Sequence, residues 1–356
     1  MLITDTSQID TYYRALVERA RDYIGVFFVG VRTTGVFCIA SCNARKPKLE
    51  NVEFYSQFKD ALDAGFRPCK ICRPTENSHT APAMVVAAID LARHHLKARI
   101  TDWDLKQRDI SPELVRRWFL KHHGMTFQAF QRMLRINHAL QELKTGRRRR
   151  EAGEHDSLHG LAYTYKKPTG SASSEAAQVI LIHRFTTQLG PMFVCATEKG
   201  VCLLEFVDRR ALETEFNDLQ RLLKAPIVDG ENDHIRQAVQ EMGEYFSGQR
   251  TEFSVALDLP GSEFQRSVWQ ILQTVPYGQT ASYMEQAERL GRPSAVRAVA
   301  SANGANRVSI IVPCHRVIGK DGSLIGYGGG LPRKRWLLDH EKRHAMQGQL
   351  DLLPSH

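Results

Sequence analysis

Four cysteines constrain this chain more than any other feature. Cys38, Cys42, Cys69 and Cys72 stand in the pattern C-x3-C-x26-C-x2-C. Two close pairs separated by a fold-sized gap let two turns each supply two corners of a tetrahedron, which suits a bound zinc ion. Four buried structural thiols would need no such spacing. Arg32, Arg45, Lys46, Lys48, Arg67, Lys70 and Arg73 surround the four in sequence. Four thiolates on one divalent ion leave an excess of two negative charges, which makes sulfur nucleophilic and repels phosphate. Alkylation of one sulfur halves that excess, so a zinc–thiolate site ringed by basic side chains can act as a charge switch for DNA affinity. On spacing alone a purely structural zinc site is preferred, because it needs nothing beyond these four residues.

The rest of the composition bounds the chain loosely. Its 356 residues suggest two or three domains, and 42% apolar content is ample for several cores. A formal charge of +9 leans towards a polyanionic partner, nucleic acid first. The opening "MLITDTSQID" has no basic leader region, and "IGVFFVGV" is far too short for a membrane span. A cytoplasmic location is therefore expected. The seven cysteines then read as thiols or metal ligands and not as disulfides.

Periodicity divides the chain. "TYYRALVERARDY" is helical, "VFFVGVRTTGVFCIASC" reads as a hairpin broken at Gly35, and "SQFKDALDAGF" is a short helix ending at Gly65. A helical stretch follows, including "DISPELVRRWFLKHHG". There Ser111 is the N-cap, Pro112 the first helical residue and Gly124 the stop. Arg116 and Arg117 on this helix suit a helix-turn-helix. The run "RRRR" at 147–150 reads as a solvated stretch after a helix, and "KKPTGSASSEAAQ" at 166–178 as a linker. Beyond it lie the strands "VILIHRF", "MFVCAT" and "GVCLLEFV", three helices between 262 and 304, and a last helix, "PRKRWLLDHEKRH".

The stretch "VSIIVPCHRVIGKDGSLIGYGGG" holds the second chemical feature. An apolar β-branched run reads as a buried strand, and Pro313 should end it. Cys314 would then sit at a strand end, open to a cleft. From the residues alone a nucleophile and a core thiol are equally compatible. Adjacent side chains on extended backbone face opposite ways, so His315 would reach Cys314 through a bridging water unless the chain turns. Glu341 is placed to orient that histidine, Asn306 to pin the preceding turn, and Tyr327 in the glycine-rich loop to stack on a flat substrate. Cys195 and Cys202, within apolar strands, are core thiols.

Together "PCHRVIGKDG", "GYGG" and "K.WLLDHE" resemble the active-site region of the alkylguanine-DNA alkyltransferases. "TTGVFC", "SC.AR" and "FRPC..C" resemble the zinc domain of the bacterial Ada family, and the middle segment is similar to that family's AraC-type helix-turn-helix. The resemblance implies a multidomain architecture. A small zinc-bound α+β domain spans 1–76 and an all-α helix-turn-helix domain 82–165. After the 166–178 linker, an α/β ribonuclease-H-like subdomain spans 179–258 and an α-helical, winged-helix-like alkyltransferase domain 259–345. One zinc ion and no organic cofactor are implied, and a monomer acting on alkylated double-stranded DNA, with promoter DNA and RNA polymerase as further partners and no membrane.

The resemblance also implies roles. Cys314 takes the alkyl group from the guanine 6-oxygen of a flipped-out base, and His315 and Glu341 form the relay that makes the thiolate. Asn306 organises the turn, Tyr283 helps rotate the nucleotide and Arg297 fills the vacated stack. Cys38 accepts a methyl group from DNA methylphosphotriesters, with Cys42, Cys69 and Cys72 as the other ligands. Thr34, Arg45 and Arg67 are placed to contact phosphate. In one respect the chain departs from the family. "RRRREAGEH" stands where a helix of the second helix-turn-helix unit is expected, so that unit is truncated and activation of transcription is an inherited expectation. A zinc-bearing transcription factor with an inactive alkyltransferase domain is the competing reading. A cysteine hydrolase would need turnover and an oxyanion arrangement that the sequence does not display.

Overall fold

The computed structural model describes residues 1–96, 98–150 and 178–350, with the side chains of 144–150 and 347–350 left aside. The chain forms two compact units, 1–145 and 146–356. The linker at 166–178 lies outside the described residues except at Gln178, as does the segment 151–165 expected to hold the truncated second helix-turn-helix unit.

In the first unit, helix α1 (Thr6–Glu18) precedes strands β1 (Phe28–Val31), β2 (Val36–Cys38) and β3 (Val52–Tyr55), helix α2 (Phe58–Asp63), strand β4 (Arg67–Pro68) and helix α3 (Pro74–Asn77). The sheet order is β3-β1-β2-β4. The hairpin expected at Gly35 joins β1 to β2, with Val29 opposite Cys38. Pairing of β2 with β4 is parallel, Phe37 opposite Pro68, and the Cys69 amide donates to the Phe37 carbonyl at 2.9 Å. That ladder brings two cysteine pairs, with 26 residues between them in sequence, side by side. Phe27, Val29, Phe54 and Leu16 fill the core between sheet and α1, and Tyr12 stacks on Phe27 with ring centroids 4.4 Å apart.

Helices α4 (Ala83–His94), α5 (Asp102–Lys106), α6 (Pro112–His123) and α7 (Phe127–Arg150) complete this unit. The caps of α6 are those read from sequence: Ser111 accepts from the Leu114 amide and Gly124 ends the helix at φ 62°. Helix α5 was not legible by apolar periodicity. It is a single turn fixed by a capping box between Thr101 and Asp104. Arg116 and Arg117 are both exposed on α6. "RRRR" does not follow a helix, as expected, but continues α7 to its end. The stretches expected as separate domains share contacts across residues 76–82. His123 stacks on Phe58 at 4.0 Å, its Nε2 lies 2.9 Å from the Thr75 carbonyl, and Asn137 donates to the Leu62 carbonyl at 2.9 Å.

The second unit opens with strands β5 (Ile180–Thr187), β6 (Gly190–Ala196) and β7 (Val201–Phe206), then helix α8 (Leu212–Leu223), strand β8 (Ile227–Asp229) and helix α9 (Asp233–Phe246). The sheet order is β7-β6-β5-β8, with β8 parallel to β5. Then come helix α10 (Glu263–Gln273), strand β9 (Ala281–Ser282), helices α11 (Tyr283–Arg289) and α12 (Val296–Gly304), strand β10 (Val317–Ile318) and helix α13 (Leu331–Leu350). One apolar cluster runs through both halves, from Met192, Val194 and Phe206 to Trp269, Val299 and Leu337. Trp269 also donates to the Ala302 carbonyl at 2.9 Å. Cys195 and Cys202 are wholly buried, as expected of core thiols.

The apolar run before Cys314 is not a strand. Val308 only bridges to Leu204, Ile310 takes φ 73°, and the run folds as a tight buried turn. Asn306 closes it, donating to the Val312 carbonyl at 2.8 Å and accepting from the Val308 amide at 2.9 Å. Among the described residues no helix is long and apolar enough to cross a membrane.

Trp269→Ala should destabilise the second unit by about 3–5 kcal/mol, because it removes a large buried ring and a satisfied hydrogen bond. Urea denaturation followed on that unit checks this; a change under about 1 kcal/mol would contradict the shared core.

Candidate functional site

Two cysteine sites emerge, one in each unit. In the first, the four sulfurs of Cys38, Cys42, Cys69 and Cys72 all lie within 4.8 Å of one another. Cys38 ends β2, Cys42 follows in the next turn, and Cys69 and Cys72 form a knuckle after β4 in which the Arg73 amide donates to the Cys69 carbonyl at 3.0 Å. No other His, Cys, Asp or Glu joins the cluster among the described residues. An all-sulfur tetrahedral set fits zinc, and bound zinc keeps such sulfurs deprotonated.

The metal site opens onto a cavity of about 480 Å³ lined by Cys38, Cys42, Cys69, Thr34, Arg45 and Arg67. Sequence reasoning had named all six, and the fold brings them together. Lys46 and Lys70 join them, so one anionic sulfur cluster faces four cations. Lys46 Nζ is held by the Cys42 carbonyl at 2.7 Å. The Nε of Arg67 is buried with no hydrogen-bond partner among the described residues.

In the second unit, Cys314 opens a 3-10 turn, Cys314–Arg316. The expected strand end is thus replaced by a turn, and successive side chains fan out around it instead of alternating. Asn306 Nδ2 lies 3.3 Å from Cys314 Sγ, so the same amide that closes the apolar turn holds the sulfur. His315 Nε2 lies 2.8 Å from Glu341 Oε1. A carboxylate accepts, so Nε2 carries the proton and Nδ1 keeps its lone pair. Nδ1 is buried and unpartnered among the described residues, which leaves it free to take a proton.

Glu341 collects further donors. Arg316 gives two bonds, at 2.9 and 3.0 Å, Tyr245 donates its hydroxyl at 2.8 Å and the Gly278 amide its proton at 3.1 Å. Burial alone would raise this carboxyl, but His315 and Arg316 overcome it and hold it far below its ordinary range. Burial pushes the Cys314 thiol up, while the Asn306 bond pulls the other way. Burial likewise holds the His315 imidazole below its ordinary value, against the pull of Glu341. The resting pair is therefore neutral thiol and neutral imidazole.

The other expected residues ring this centre. Tyr283 begins α11, half-buried, its hydroxyl 3.4 Å from the Ile325 carbonyl. Tyr327 is half-buried and sets its ring edge towards His315, centroids 6.4 Å apart. Arg297, Ala300, Ser301 and Gly304 are exposed at helical spacing on one face of α12, while Val299, Ala302 and Asn303 are buried on the other. Sequence reasoning gave Arg316, Tyr245 and Lys334 no role, although Arg316 and Lys334 stand within the motifs quoted above. Lys334 is wholly buried and donates to the Val317 and Ile325 carbonyls at 2.5 and 2.6 Å; burial lowers it to about 8. Its signal was its place on α13, seven residues before Glu341 and on the face of buried Leu337.

Comparisons with known proteins match separate stretches of the chain. Three family descriptions match in order: metal binding domain of Ada over residues 11–75, and the ribonuclease-like and DNA binding domains of 6-O-methylguanine DNA methyltransferase over 180–259 and 263–343. The Escherichia coli protein named bifunctional transcriptional activator/DNA repair enzyme Ada is 33% identical over 342 residues, 93% of this chain and 96% of that protein. The methylated-DNA–protein-cysteine methyltransferase of Mycolicibacterium paratuberculosis is 61% identical over 108 residues, 30% of this chain and 66% of its own length. The Mycobacterium tuberculosis OGT, solved in complex with DNA, is 39% identical, covering 46% of this chain and 94% of that one, with a TM-score of 0.41.

The metal centre should hold one zinc ion per chain, measurable by metal analysis. Chelation should abolish the far-UV signature of the first unit, since binding and folding are linked; retention of full structure would contradict it. The raised Cys314 thiol gives a second expectation. Its reaction with iodoacetamide, followed by peptide mapping, should keep rising through the ordinary thiol value of 9.0, and a plateau at lower pH would contradict it.

Proposed function

The chain belongs to the Ada family of DNA-repair and regulatory proteins, and from that premise we propose that it carries out two single-turnover transfers. One moves the alkyl group from 6-O-methylguanine in double-stranded DNA to Cys314. The other moves a methyl group from DNA methylphosphotriesters to Cys38. The observation that carries this reading is the Asn306–Cys314 contact beside a His315–Glu341 pair whose free Nδ1 can receive the thiol proton.

At Cys314 the step is a displacement. His315 Nδ1 takes the thiol proton through a water, and Glu341 stabilises the imidazolium. Sγ attacks the alkyl carbon, a C–S bond forms, and the bond from that carbon to the guanine 6-oxygen breaks. The electron pair stays on guanine, which regains a proton at its ring nitrogen, relayed from His315 or the Tyr283 hydroxyl. The thioether has no leaving group, so each molecule acts once. Tyr283 and Arg297 rotate the nucleotide and fill its place in the stack, with the small exposed face of α12 against the minor groove. Tyr327 then packs against His315 and the extruded base.

At the metal centre, Cys42, Cys69 and Cys72 complete the zinc set, and zinc supplies a thiolate at neutral pH. Thr34, Arg45 and Arg67 bind the phosphate that presents its methyl group to Cys38. Losing one negative charge there raises DNA affinity, which would couple damage to promoter binding by the helices of the first unit. RNA polymerase would be the partner of that regulatory role, in the cytoplasm. The domain boundaries that fit are 1–76, 82–165, 179–258 and 259–345, with ribonuclease-H-like and winged-helix-like halves in the second unit.

Intact-protein mass spectrometry after incubation with methylated duplex DNA tests this. Two added methyl groups are expected, mapped to Cys314 and Cys38. Modification of Cys314 alone would leave a repair protein with a structural zinc site, and modification of neither would overturn the reading. Glu341→Gln should slow transfer to Cys314 by roughly 10²-fold or more and leave transfer to Cys38 unchanged.

A further inference from the structure

A buried ion network to which the proposed transfer assigns no role lies close to Cys314. Glu205 near the end of β7, Arg209 in the following loop and Glu215 in α8 are all buried. Arg209 Nη1 donates to Glu205 Oε2 at 2.5 Å, and its Nε lies 2.8 Å from Glu215 Oε1. The third arm, Nη2, donates to the carbonyl of Gly304 at 3.0 Å. Gly304 ends α12, two residues before Asn306. Ser309, inside the apolar turn, donates to Glu205 Oε2 at 2.5 Å. The guanidinium also lies against the glycine-rich loop: a methyl group added at Gly328 would sit 1.9 Å from Nη1.

One cation thus touches the end of α12, two residues before Asn306, and the loop that carries Tyr327. We propose that Arg209, locked by Glu205 and Glu215, is a positioning residue for alkyl transfer, through which the sheet-bearing half of the second unit sets the geometry around Cys314. The proposal rests on the reading that Cys314 is the alkyl acceptor. Stability alone does not explain the network, because buried ion clusters are often replaceable by apolar residues without loss. Only a planar fork can meet two carboxylates and a carbonyl at once, so lysine is a poor substitute. The field of Arg209 also favours the Cys314 thiolate, as does that of Lys334, while Glu205 opposes them.

The test uses the full zinc-loaded chain and duplex DNA bearing one 6-O-methylguanine. Single-turnover kinetics separate the saturating rate from the half-saturating DNA concentration. Arg209→Met should slow the saturating rate by about tenfold or more with half-saturation within about twofold, the pattern of a group that acts on the reaction and not on DNA capture. Arg209→Lys should recover part of the rate. Gly328→Ala alone should be slow, because its methyl group meets the guanidinium, and Arg209→Met with Gly328→Ala should be no slower than Arg209→Met. Such non-additivity marks direct coupling. A wild-type saturating rate in Arg209→Met, a defect lying wholly in half-saturation, or additive effects would overturn the proposal. If Arg209→Met fails to fold in a thermal melt, Gly328→Ala, which keeps every charge, decides: a wild-type rate overturns it. If the wild-type chain itself transfers nothing to Cys314, the reading under Proposed function fails, and this proposal with it.

Discussion

The second unit depends on one carboxylate. Glu341, wholly buried on α13, accepts from Tyr245 on α9, from His315 and Arg316 in the turn after Cys314, and from the Gly278 amide before β9. A buried charge is costly unless paired and hydrogen-bonded, and removing a partner strands the rest. The site therefore exists only when four separate segments have come together around that oxygen pair. The same bonds fix the tautomer of His315, so assembly of the fold and assembly of the proton acceptor are one event. Because the folded carboxyl lies below its ordinary 4.5, its stabilisation is complete above about pH 5 and is lost as the pH falls below that.

The chain uses sulfur in two opposite electrostatic settings. At the metal centre Cys38, Cys42 and Cys69 line one cavity with Arg45, Lys46, Arg67 and Lys70, and a divalent ion would favour the charged form of all four sulfurs. At Cys314 burial favours the neutral thiol. On the proposed reading, a cluster charged at rest would suit a substrate exposed on the DNA backbone, and a thiol charged only during transfer would suit a base that must first be brought in.

Much of this was legible in sequence because it depends on local rules. The spacing of Cys38, Cys42, Cys69 and Cys72, the Ser111–Pro112–Gly124 signals around α6 and the Cys314–His315 pair with Asn306 and Glu341 were all read from residue type and position. What failed did so for physical reasons. Val308, Ile310, Ile311 and Val312 are apolar and β-branched, yet Asn306 offers their backbone a closed set of hydrogen bonds that competes with a sheet ladder. Helix α5 is one turn, too short for periodicity and held by its capping box. Arg316, Tyr245, Lys334 and the Glu205–Arg209–Glu215 network are ordinary charged or polar residues until burial makes them otherwise.

Residue type and spacing name the atoms that can do chemistry here: four thiols at metal-binding spacing, and one thiol beside a histidine. Tertiary structure decided the state those atoms are in. It kept His315 neutral by burial and left its Nδ1 as the acceptor through the bond to Glu341, held Cys314 protonated by burial, and set an arginine from β7–α8 against a glycine loop about 120 residues away. Residue type sets a side chain's intrinsic reactivity. Protonation and orientation follow from desolvation and from partners distant in sequence, which exist only once the chain has folded.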